Sequence, residues 1–129
     1  IMESKIINNK FSIVKGKNSI NLSAFEIRHG LINATAYLFN NIAYLSDCNS
    51  IPEKSLKNFF NLDYLIIDCL RKKKHPSHFN FSETMEVIKL LKPKKAILTN
   101  LHVDLDYYKL KKKLPKNIIP AYDGLSFNF

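Results

Sequence analysis

Apolar and polar residues alternate along Phe11-Ser12-Ile13-Val14 and again from Asn18 to Ile27, through Ile20, Leu22 and Ala24. A period of two is that of a strand with one face buried. Two further apolar runs, Ala34 to Phe39 and Ile42 to Leu45, are split by Asn40-Asn41, a pair suited to a two-residue hairpin turn. After Asp47 the period changes. Ile51-Pro52-Glu53 opens a predicted helix to about Phe60, with proline early in the first turn. Tyr64-Leu65-Ile66-Ile67 is a continuous apolar run closed by Asp68, which suits a buried strand. Phe81 to Leu91 reads as a second helix, with Ser82 as N-cap and Pro93 as its stop. Ala96 to Thr99 is another short buried strand, Asp104 to Leu114 a third helix, and Leu125 to Phe129 a last strand.

The predicted order is β-β-β-β-α-β-α-β-α-β, an α/β (α+β) arrangement of antiparallel hairpins followed by strand–helix alternation. Such a chain makes a mixed sheet with helices on one face. The other face also needs cover, and little of the chain remains to give it, which points to a missing partner layer. With three Gly, five Pro and no repeat, residues 1–129 read as one unit.

Charge modifies this picture only slightly. Twenty Lys and Arg against 11 Asp and Glu leave a net charge of +9. Lysine supplies 18 of the 20 cations, and the arginines are Arg28 and Arg71 alone. Readers of nucleic acid favour arginine for bidentate contacts, so the excess disfavours a nucleic-acid partner. A basic nucleic-acid-binding module is kept only as an alternative reading. Positive potential near a cleft would instead draw in a small phosphorylated substrate. Two cysteines, Cys48 and Cys69, rule out a disulfide scaffold, and no apolar run is long enough for a membrane helix. A cytoplasmic protein without a membrane partner is expected, and a homodimer stays open.

Chemistry gathers at the predicted strand ends: Arg28-His29-Gly30, Ser46-Asp47-Cys48-Asn49, Asp68-Cys69-Leu70-Arg71 leading to His75-Pro76-Ser77-His78, and Thr99-Asn100-Leu101-His102 leading to Asp104. Open sheets place functional groups at such ends. Each residue has an ordinary use. Asp47 could cap a turn, Asp68 could pair with Arg71, His75 could be solvated loop, and His102 and Asp104 could cap the third helix. Recurrence favours the other use, because imidazole and carboxylate are the ligands of hydrolytic Zn or Mn sites.

At these residues the chain resembles the metallo-β-lactamase-fold hydrolases, in the branch of the cyclic-phosphate phosphodiesterases of phosphonate metabolism. The resemblance lies in F-E-I-R-H-G (25–30), Y-L-S-D (44–47), I-I-D-C-L-R (66–71), H-P-S-H-F (75–79), L-T-N-L-H-V-D-L-D-Y (98–107) and P-A-Y-D-G-L (120–125). It implies the C-terminal half of a four-layer αββα sandwich. It also implies that His29, Asp47 and His102 bind metal, Asp47 bridging two ions. His78 would stand near the reacting phosphate as a catalytic group, and Asp68 would support the site from behind by orienting a metal-binding histidine. Where many relatives read T-H-x-S-H, this chain has Asn100 and His102, and His102 is taken as the ligand.

The resemblance further implies a metal-dependent hydrolase, a phosphodiesterase-like enzyme in which two divalent ions, Zn or Mn, activate a water to hydroxide. The family's H-x-H-x-D-H string does not occur in this chain. With Ile at position 1, the expectation is a partial domain lacking the N-terminal metal-motif half. Such a piece would be inactive alone, a non-catalytic fragment unless completed.

Overall fold

The computed structural model describes residues 9–128. Seven strands form one mixed sheet in chain order: β1 (Lys10–Lys15), β2 (Asn18–His29), β3 (Ile32–Phe39), β4 (Ile42–Leu45), β5 (Tyr64–Asp68), β6 (Lys95–Thr99) and β7 (Ile118–Pro120). Strands β1 to β4 pair antiparallel, and β4 to β7 pair parallel. The first half is a hairpin meander because its turns are short. Asn40 and Asn41 both take positive φ, 43° and 62°, as a type I′ turn needs. The second half is parallel because each connection carries a helix: α1 (Glu53–Leu56), α2 (Phe81–Leu91) and α3 (Tyr107–Lys113).

The helices cover one face. Ala43, Leu45, Leu65, Ile67, Ala96 and Leu98 point to that face and pack with Phe59, Ile88, Leu91 and Leu110 in one core. Alternate residues point the other way. The register aligns Ala24, Tyr37, Tyr44, Ile66, Ile97 and Ile119 in a row across six strands. Tyr44 in that row is 39% exposed, and Ile13, Val14 and Ile20 in the first hairpin are exposed as well.

Several details differ from the sequence reading beyond strand ends that shift by a residue or two. Helix α1 ends at Leu56 rather than Phe60, because the chain must turn to bury both Phe59 and Leu62; the Asn58 amide caps the Lys54 and Ser55 carbonyls. The N-cap of α2 is Asn80, not Ser82: its side chain accepts from the Glu83 N–H while Glu83 accepts from the Asn80 N–H, a capping box. Helix α3 starts at Tyr107, with Asp106 as its cap. The last strand is Ile118–Pro120, three residues too few to show an alternating pattern. Residues Leu125–Asn128 are not strand, and Phe129 lies outside the described residues. Phe127 instead stacks on Tyr64 at 4.4 Å, and the Tyr64 hydroxyl donates to the Asn128 carbonyl.

Candidate functional site

Strands β2, β4, β5 and β6 all run in the same direction, since β3 reverses between β2 and β4. Their C-terminal ends therefore share one edge of the sheet. His29 closes β2, Asp47 follows β4, Asp68 closes β5 and Asn100 follows β6. Residues 70–80 fold over this edge and bring in His75 and His78. Their backbone is pinned to the sheet by Leu70 N–H to Phe79 O, Phe79 N–H to Cys48 O, Phe81 N–H to Arg71 O and His102 N–H to Leu70 O.

His29, Asp47 and His78 each offer one donor atom, and the three atoms lie within 4.8 Å of one another; among the described residues this is the group of metal-ligating side chains so placed. His29 Nε2 and His78 Nε2 are 3.0 Å apart. His78 Nδ1 lies 2.6 Å from Asp68 Oδ2. Asp68 is completely buried, and its Oδ2 also accepts the Cys48 N–H at 2.8 Å. A buried carboxylate must have its oxygens hydrogen-bonded, and here the Cys48 N–H and the His78 ring meet Oδ2. The carboxylate thus orients the imidazole, with the ring's other nitrogen left toward His29.

The remaining candidates sort differently. The alternative of an Asp68–Arg71 ion pair is not formed: the Arg71 guanidinium donates to the carbonyls of Lys73 and Lys74 and shapes the loop. His102 is not brought into the group. It is half exposed, and its Nδ1 sits 3.2 Å from Asp104 Oδ1. Burial opposes ionisation of Asp104, but the Lys72 N–H and the His102 ring outweigh it and hold the carboxyl below its ordinary range. His75, read above as solvated loop, is half-buried with its ring 5.1 Å from that of His78. Desolvation first, then the Arg71 charge, lower its pKa.

Two asparagines contribute what residue-type reasoning missed. Asn49 accepts the Gly30 N–H and donates to the Pro76 carbonyl, tying the turn after His29 to the loop before His78. The Asn100 amide reaches Ser46, Asp47 and Asp68. Both lie inside the strand-end clusters, which is the signal that could have found them. Amides make no metal signature, so the search for imidazole and carboxylate passed over them.

Residues 3–100 match the family described as "Beta-lactamase superfamily domain". The chain belongs to the beta-lactamase superfamily. This chain of the superfamily is also similar to a crystal structure of a diphosphatase from the PhnP family, at 30% identity and TM-score 0.86 over 95% of this chain and 47% of that one. The metallo-beta-lactamase fold protein YhfI from Bacillus subtilis is similar at 17% identity and TM-score 0.70, over 95% of this chain and 54% of that one. Among curated proteins, an octanoyltransferase of Porphyromonas gingivalis (strain ATCC BAA-308 / W83) is 28% identical over 109 residues, 82% of this chain and 22% of that protein. The chain thus spans about half the length of these solved structures and about a fifth of the curated relative. The superfamily is one of hydrolases whose fold binds divalent metal, and the mixed sheet with helices on one face is that fold. Among the described residues no helix is long and apolar enough to cross a membrane, which leaves β-barrels unaddressed.

Proposed function

We propose that the chain carries part of the metal centre of a phosphodiesterase-like hydrolase that acts on a small phosphorylated substrate. The observation that carries this reading is the convergence of His29, Asp47 and His78 at one sheet edge. The donor types fit a hydrolytic Zn²⁺ or Mn²⁺. His29 and Asp47 would hold the cation. A divalent cation there supplies Lewis acidity and neutralises anionic oxygens. His78 borders the same space, and Asp68 holds its Nδ1, so its Nε2 is turned to give a proton or a hydrogen bond to the reacting phosphoryl group.

Exposed Lys72, Lys73 and Lys74, on the loop that carries His78, place positive potential at the rim and suit an anionic substrate. The relative described as a diphosphatase supports the same substrate class. A second cation, expected from the resemblance, would take donors from outside this chain, because His102 is turned to Asp104. A pair of ions needs about seven ligands, so we propose that these residues alone turn over little substrate.

The test is hydrolysis of an activated phosphodiester by the chain alone and by the chain co-expressed with a polypeptide bearing H-x-H-x-D-H, with Zn²⁺ or Mn²⁺ added. Activity is expected of the pair only and should vanish with a chelator. His29→Ala and Asp47→Ala should lose both metal and activity, whereas His78→Ala should lose activity and keep metal. Full activity in both the His29 and Asp47 variants would reject the site.

A further inference from the structure

Asp68 uses its two oxygens differently. Oδ2 is taken by the Cys48 N–H and by His78 Nδ1, whereas Oδ1 lies 3.4 Å from Asn100 Nδ2. The same Nδ2 lies 3.4 Å from Asp47 Oδ1 and 3.1 Å from Ser46 Oγ. Two of these neighbours are carboxylates and the third is a hydroxyl able to accept. The side chain is therefore set with its NH₂ inward, because a carbonyl oxygen there would face two acceptors. The backbone suits the task. Asn100 has φ +59°, in the left-handed region that asparagine enters more readily than most residues. This turn follows directly on β6, and from it one side chain reaches the ends of both β4 and β5.

We infer that Asn100 is a positioning residue: its amide clamps the carboxylates of Asp47 and Asp68 together. Through Asp68 it fixes the His78 ring, and through Asp47 it holds a donor that is otherwise exposed. The Asp47 part rests on the metal reading proposed above; the Asp68 part does not. Groups behind a metal ligand govern its orientation, and their loss weakens metal binding by about tenfold or more.

Two variants separate side chain from backbone. Asn100→Gly accepts the positive φ without strain and removes the amide, adding only the backbone freedom that glycine brings to the unfolded chain, which Asn100→Asp does not share. Asn100→Asp keeps the shape but faces a third carboxylate toward the other two. In the metal-free chain, thermal unfolding should give Tm values falling in the order wild type, Asn100→Gly, Asn100→Asp. Failure of Asn100→Asp to fold while Asn100→Gly folds is the extreme of that order and supports it. Co²⁺ titrated into the chain and followed by visible absorption should bind Asn100→Gly about tenfold more weakly than wild type. Equal Tm values for all three chains, or Asn100→Asp more stable than Asn100→Gly, would overturn the clamp. Unchanged Co²⁺ affinity in Asn100→Gly would overturn the part played through Asp47. A wild-type chain that takes up no Co²⁺ would reject the metal reading, and the Tm order would still decide the clamp.

Discussion

Asp68 shows how much one buried group organises. Its carboxylate collects a backbone N–H, an imidazole and an amide from three different segments. Removing it in Asp68→Ala strands those donors in a buried place, so a loss of about 3 kcal/mol in urea unfolding is expected. The neighbouring thiols behave in the opposite sense. Burial pushes Cys48 up to about 12 and Cys69 up to about 11, so both are neutral at physiological pH. Iodoacetamide at pH 8 should leave them untouched in the native chain and label both after unfolding. The linkage has a fixed sign. A pKa raised in the fold stabilises fully below the unfolded thiol value near 9, and that contribution is lost as pH climbs toward 11 and 12. Stability measured against pH should therefore decline above about pH 9 through these two groups.

At the scale of elements, the site depends on close approach between the β2–β3 turn and the loop before α2. Gly30 has φ +63°, and a Cβ placed on it would meet Ser77 Cβ at 3.1 Å and the Pro76 carbonyl at 3.5 Å. Gly30→Ala therefore combines backbone strain with a push on the loop that carries His78. A loss of about 1–3 kcal/mol in denaturant unfolding is expected, with changed chemical shifts at His78. A silent substitution would mean that the turn and the loop are not in firm contact. The parallel strands work by a related logic. Their direction is set by the helices that connect them, and that direction places Asp47, Asp68 and Asn100 along a common edge.

For the whole molecule, the two faces of the sheet tell different stories. The helical face holds the closed core, whereas the opposite face keeps Tyr44 and, in the first hairpin, Ile13 and Ile20 exposed. The proposed completion of the site by a second polypeptide would use that face. Tyr44→Lys should then cost the chain about 1 kcal/mol in urea unfolding and leave it folded, because the ring is only partly exposed, yet block association in a pull-down with the co-expressed half. Association undiminished by Tyr44→Lys would place the partner elsewhere.

Local physics was enough for the order of strands and helices, because periodicity and turn chemistry act over a few residues. The period-two run in β2, the Asn40-Asn41 turn and the unbroken apolar run of β5 all read directly. The same local rules missed β7, which is too short to show a period and exists because β6 offers it a partner. They also misplaced the cap of α2, since Asn80 and Ser82 are both good caps and only the packed helix selects between them. For the site, residue chemistry marked the strand ends as the place to look, and His29, Asp47, Asp68 and His78 all meet there. Which groups meet was decided by tertiary structure alone. Strand direction and the fold of the 70–80 loop set distances between residues as far apart in sequence as His29 and His78, so His102 turned to Asp104 while Asn100 turned inward.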